Sequence, residues 1–195
     1  MKPGAEHTRR LTPPVRLEEL IPIRPRHFLP RVEPFAGAKQ ILRNLVERGH
    51  IVLLASSASR DEVARYVEML EADGLLNGTT SADDVASSKP CPDIFAAALA
   101  LTGCSAQNAV AIGDTPYDII AARRAGIDAI AVLSGGFDED ELRSCRPLAI
   151  YEDVAELDAN YERSPLCDVS SGEPHPRDRD GDGECDHAHS ERQSC

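Results

Sequence analysis

A chain of 195 residues is long enough to bury one substantial core with tails to spare. Hydrophobic residues make up 42% of it and the net charge is −12, with ten Lys/Arg against five Glu in residues 1–50 and eight basic against twenty acidic residues in 51–166. An acidic body repels phosphodiester backbones and anionic lipid, so no nucleic acid and no membrane is expected as a partner, and no apolar run approaches the roughly 20 residues of a helical span.

Residues 1–27 read as an irregular Pro/Arg-rich segment, because prolines at 3, 13, 14, 22 and 25 bar long helices and central strands. There is room for one short helix near Leu17–Ile21. From Phe35 the pattern changes. Ala38, Ile41, Leu42, Leu45 and Val46 recur at helical spacing and Gly49 ends the run. Ile51–Ala55 is a short continuous apolar run, the mark of a strand buried on both faces. Ser59 with Glu62 makes a capping box for a helix whose apolar face is Val63, Tyr66, Val67 and Leu70.

The alternation continues with a helix from Pro92 to Leu101, a strand at Ala109–Ile112 and a helix at Tyr117–Ala125 closed by Gly126. A strand at Ala129–Leu133 leads into the turn Gly135–Gly136. A helix at Asp138–Ser144, a short strand at Ala149–Ile150 and a helix at Asp153–Asn160 complete the run. Strand and helix alternate over short connections, so the class is α/β with a parallel sheet. After Ser164 periodicity vanishes, and 163–195 is expected to be a disordered acidic tail. The six cysteines lack the dense framework of a small secreted domain, and Arg9–Arg10 is followed by no apolar stretch, so the expected location is cytoplasmic.

Ligands of open parallel sheets sit at the carboxyl ends of the strands. Ser56 and Ser57 follow the first apolar strand. Gly113–Asp118 follows the second, and Ser87-Ser88-Lys89-Pro90 precedes the helix at Pro92. Hydroxyl, ammonium and carboxylates gathered at one rim suit a phosphate ester with a hard divalent cation. Plainer readings exist for each residue. Ser56 suits a strand-end cap, Lys89 a surface lysine, Asp114 a helix cap and Asp118 a first-turn carboxylate favoured by the helix dipole.

Ser56 at the end of its strand, Lys89 in SKPCPDIF and Gly113–Asp118 in AIGDTPYDIIAARRAG stand in the order and spacing of the second, third and fourth motifs of the haloacid dehalogenase superfamily. The flanking PFAGAKQILRNL and VLSGGF fit as well. The chain resembles the phosphoglycolate phosphatase-like branch of that family over residues 28–162, taken as the core. The resemblance implies a Rossmann-like parallel sheet with helices on both faces. It implies a hydrolase, a Mg2+-dependent phosphatase acting on a small phosphomonoester. Ser56, Ser57 and Lys89 would bind the phosphoryl group, with Ser56 and Lys89 catalytic, and Asp114 and Asp118 would serve the metal, Asp114 more directly.

The family's first motif, Asp-x-Asp-Gly-Thr/Val after an amino-terminal apolar strand, has no counterpart, since the first aspartate of any kind is Asp61. The helical cap is also missing, apart from a remnant around Phe28–Val32. The core is therefore expected to be truncated at its amino terminus and to lack the central first strand, between the strands at 51–55 and 109–112. Either those strands close up, or a partner chain or fragment completes the sheet. As it stands the chain is expected to be inactive, and the alternative is a non-catalytic phosphate- or protein-binding pseudoenzyme. Asp178-Arg179-Asp180-Gly181 imitates the missing motif, but no apolar strand precedes it. The same stretch imitates a calcium loop whose twelfth position is His189, and Cys185, His187 and His189 read as a weak soft-metal set; a solvated tail is the plainer reading.

Overall fold

The structure, a computed structural model, describes residues 33–170. The elements run α1 (Ala38–Glu47), β1 (Leu53–Ala55), α2 (Arg60–Met69), β2 (Gly78–Thr80), α3 (Asp93–Thr102), β3 (Val110–Gly113), α4 (Pro116–Arg124), β4 (Asp128–Val132), α5 (Glu139–Ser144), β5 (Ala149–Tyr151), α6 (Val154–Ala159) and α7 (Pro165–Ser170). The expected α/β alternation is therefore present. The capping box at Ser59 and Glu62 forms as its spacing implies.

The strands are parallel, but only β4 is buried along nearly its whole length; Ile51 before β1 and Ile112 in β3, expected to lie in strands buried on both faces, are exposed. In β4, Ala129 and Ala131 enter a core with Ile94 and Phe95 of α3, Ile119, Ala121 and Ala122 of α4, and Leu142 of α5. Ile130, between them, enters the opposite core with Ile41 and Leu45 of α1, Leu157 of α6, Tyr161 and Leu166. This period of two is the alternation of side chains across a strand, read out as two helical layers. Alanines dominate the first interface and let α4 lie close to the sheet.

Among the described residues the strands fall into two sheets, β1-β2 and β3-β4-β5. The strands expected to flank a missing central strand, β1 and β3, do not close up. The Val52 carbonyl accepts from the Asn77 amide and the Ser56 amide donates to the Thr80 carbonyl, so alternate residues of β1 turn their backbone groups toward β2. Leu53 and Ala55 turn theirs the other way, toward the side on which β3 lies unpaired with β1.

Two elements depart from expectation. β2 pairs in register with β1, Leu53 with Gly78 and Ala55 with Thr80, although Gly-Thr-Thr shows no apolar run. The stretch 163–170, expected to begin the disordered tail, instead carries α7, and Leu166 is 5% exposed within the second core. Burial of Leu166 in that core, beside Tyr161 and Leu157, holds a helix too short to be stable alone. The irregular segment at 1–27, the helix near Leu17–Ile21, the remnant at Phe28–Val32 and the Asp/His/Cys motifs of the tail lie outside the described residues.

Candidate active site

β1 delivers Ser56 and Ser57 at its carboxyl end. The Ser56 hydroxyl accepts the Ala58 amide at 3.1 Å, which tightens the turn into α2, and Ser57 is exposed. β3 delivers Gly113 and Asp114. α4 then starts with a capping box in which the Asp118 amide donates to Thr115 Oγ1 at 3.2 Å. In return Asp118 Oδ2 accepts the Thr115 amide at 3.1 Å and its hydroxyl at 2.7 Å. Pro116 occupies the first helical turn, where its missing N–H costs nothing.

Lys89 arrives from the loop before α3. Its Nζ donates to Asp118 Oδ1 at 2.7 Å and to the Ala55 carbonyl at 3.3 Å, and lies 5.3 Å from the centre of the Phe95 ring. The Lys89 and Asp118 side chains are only 14% and 12% exposed. One ammonium thus ties the end of β1 to the helix that follows β3, across the unpaired edges.

Asp114 is half-buried beside this pair. Burial, then the neighbouring Asp118 carboxylate, pushes its carboxyl above the ordinary carboxylate range, partly offset by Lys89. It makes no ion pair with the described residues. Two glycines make room. A Cβ on Gly113 would stand 2.4 Å from Asp118 Cβ, and one on Gly135 would stand 2.1 Å from the Asp114 carbonyl oxygen.

The residues singled out in sequence are thus brought to one rim, in unequal states. Both oxygens of Asp118 are engaged, by Thr115 and by Lys89, so it is placed to orient the lysine more than to hold a metal. Asp114 remains as the carboxylate that a cation would relieve. Mg2+ is bound typically by one or two carboxylates with substrate phosphate and water, so the oxygen donors here fit it in part. No cluster of three metal-ligating side chains occurs among the described residues. Sequence reasoning passed over Thr115, whose Thr-x-x-Asp spacing signals a capping box, and Gly135 and Phe95, which carry no such signal.

The chain aligns with the pyrophosphatase PpaX of Halalkalibacterium halodurans at 23% identity, over 74% of this chain and 69% of that protein. It aligns with the phosphoglycolate phosphatase of Rhodospirillum rubrum at 28% identity, over 67% of this chain and 56% of that protein. Among solved structures it is similar to a hydrolase from Pseudomonas syringae, with a TM-score of 0.63 and 30% identity over 67% of this chain and 61% of that one. The chain spans about half the length of most curated relatives it matches, 54% for two others and 47% for a third. The profile of the haloacid dehalogenase-like hydrolases matches residues 8–132, and the chain belongs to that family.

Proposed function

We propose that this chain is the phosphoryl-binding part of a Mg2+-dependent phosphatase acting on a small phosphomonoester, in the manner of phosphoglycolate phosphatases, in the cytoplasm. The observation that carries the reading is the Lys89 ammonium, fixed by Asp118 and Ala55 at the carboxyl ends of two strands with Asp114 beside it. In this reading Lys89 lies against the phosphoryl oxygens and offsets charge that grows there as the ester bond breaks. The Ser56 and Ser57 hydroxyls donate to the same oxygens. Asp118 positions Lys89, and Asp114 holds the metal, whose charge would be shared with the phosphoryl oxygens when it is bound.

The reaction also needs an attacking carboxylate, and the first aspartate in the sequence, Asp61, lies beyond β1 in α2. None of the rim residues attacks phosphorus. The carboxylate belongs on a strand between β1 and β3, contributed by a longer form of the chain or by a partner chain or fragment completing the sheet. The 195-residue chain alone is then a phosphate binder that releases no product.

Calorimetry with inorganic phosphate and Mg2+ tests the binding half. Binding that disappears in Lys89→Ala supports it, and the absence of any binding heat or melting shift overturns it. Phosphoglycolate with the same chain tests the catalytic half. Phosphate release abolished by Asp114→Ala would show that an attacking group is present after all. Because the rim stands without an assigned nucleophile, a non-catalytic phosphate- or protein-binding role is the second reading. It is favoured if an added strand-bearing segment restores packing but no turnover.

A further inference from the structure

A lysine head sits at the end of a flexible stem, so its place depends on its backbone as well as on its partners. The backbone on either side of Lys89 is held. The Ser87 amide donates to Asp93 Oδ2 of α3 at 3.2 Å, and the Cys91 amide donates to the Ser88 carbonyl at 3.1 Å, which closes a turn around Lys89 and Pro90. Pro90 has no N–H, so its carbonyl is the one backbone group through which neighbouring structure can hydrogen-bond it. Arg124 Nη1 donates to that carbonyl at 3.1 Å. α4 therefore grips the segment twice, through Asp118 on the Lys89 side chain and through Arg124 on the backbone of the next residue. Asp118 and Arg124 are six positions apart, which is about 9 Å of helix. Between them Ile119, Ala121 and Ala122 are 0% exposed, so the helix that carries both grips is anchored in the core.

We propose that Arg124 is a positioning residue for Lys89: by fixing the Pro90 carbonyl it holds the Lys89 backbone at the distance from α4 at which the ammonium reaches Asp118 and the Ala55 carbonyl together. It acts through the lysine and not on the phosphoryl group. Arg123 marks the difference. It carries the same charge in the same last turn of α4, yet its Nη1 donates at 3.0 Å to the carbonyl of Cys145, the residue that ends α5. A general attraction of phosphate to the end of α4 would make the two arginines equivalent, whereas a contact with Pro90 makes them unequal. For its effect on phosphate the proposal rests on the phosphoryl-binding role of Lys89 proposed above. For its effect on the lysine it rests on the geometry alone.

The test uses the full chain and two readouts. One is calorimetry with inorganic phosphate at fixed free Mg2+. The other is the rate at which acetic anhydride acetylates Lys89, followed by peptide mass spectrometry with Lys39 as the internal reference. Arg124→Met keeps the aliphatic stem and removes the donor. It should bind phosphate about three- to fivefold more weakly, the worth of one exposed hydrogen bond. Lys89, whose side chain is 14% exposed in the parent, should acetylate about threefold faster or more while Lys39 reacts as before. Arg124→Lys, which keeps the charge and a donor, should restore most of both, and Arg123→Met should change neither. In a chain that binds phosphate, parent-like binding or parent-like labelling of Arg124→Met overturns the proposal. An equal effect of Arg123→Met overturns it too, as does acetylation that rises at Lys39 as much as at Lys89, the sign of general loosening. If the parent binds no phosphate, the phosphoryl-binding reading falls and acetylation alone decides the positioning: faster labelling of Lys89 upholds it and unchanged labelling overturns it.

Discussion

Asp118 Oδ1 stands 2.7 Å from Lys89 Nζ while Oδ2 receives the Thr115 amide and hydroxyl, so one carboxylate both starts α4 and pins a cation 29 positions away in the chain. The relationship joins local helix capping to the architecture of the rim. If the capping box shifts, the lysine moves with it.

Lys89→Met should therefore cost more than a surface charge. It strands the Asp118 carboxylate, whose residue is 8% exposed, without its cation. Removing one partner of a buried pair typically costs about 3–5 kcal/mol, and the residual exposure of this pair places the loss near about 3. Adding Asp118→Asn to Lys89→Met should recover much of that stability without recovering phosphate binding. Urea unfolding combined with phosphate calorimetry separates the two effects. Full stability in Lys89→Met alone would show that the pair holds nothing in place.

Gly113→Ala and Gly135→Ala should each damage the rim sterically. The first drives a methyl to 2.4 Å from Asp118 Cβ, the second to 2.1 Å from the Asp114 carbonyl oxygen, both far inside van der Waals contact. Overpacking of this kind costs about 1–3 kcal/mol, a melting temperature lower by roughly 2–12 °C for a chain of this size. Gly135→Ala should be the worse, because backbone on both sides has less freedom to yield than the Asp118 side chain. A Gly135→Ala protein that melts like the parent would mean that the 133–136 turn relaxes freely.

Much of this organisation was legible in the residues and some was not. The apolar runs ending at Ala55, Ile112 and Leu133 mark strands by having no polar position, although only the last is continuously buried and Ile51 and Ile112 are exposed. The carboxyl-end rule then collects Ser56, Lys89, Asp114 and Asp118. β2 escaped because Gly78-Thr79-Thr80 has no hydrophobic pattern and becomes a strand only by pairing with β1. α7 escaped because six residues carry too little periodicity to announce a helix, and its order comes from the core beneath it. The division of labour between the two aspartates was only half visible. Thr115–Asp118 spacing predicts a capping box, but that the second oxygen faces Lys89 depends on the path of the loop before α3.

Stability should fall with acidity in a window set by His50. Its Nε2 lies 2.7 Å from the Tyr161 hydroxyl, and the Arg48 guanidinium sits 4.2 Å above the Tyr161 ring. Burial, and then Arg48, hold the imidazole below its ordinary value of 6.5. A lowered folded-state value means that the unfolded chain takes up the proton first. The contribution is then complete above pH 6.5 and is lost as pH falls through 6.5 toward the folded-state value. The urea midpoint should rise with pH up to about 6.5 and flatten above it, and His50→Asn should remove that part of the slope. An unchanged slope in the variant would assign the pH dependence elsewhere.

The last prediction concerns the part of the fold beyond the family match at 8–132. Leu166 of α7 is 5% exposed and packs in the core that Ile41, Leu45, Ile130 and Leu157 share. Leu166→Ala removes methyl groups from a core shared with Ile41, Leu45, Ile130, Leu157 and Tyr161, which collapses only in part around the void. Such a change costs about 2–5 kcal/mol, and the short α7 can shift to fill space, which favours the lower half of that range. The exposed neighbour Glu162, changed to Ala, should stay within about 0.5 kcal/mol of the parent. Paired denaturation curves with a common slope measure both. A Leu166→Ala protein as stable as the Glu162→Ala protein would mean that α7 is an appendage, and that the second core is closed by Tyr161 and α6 without it.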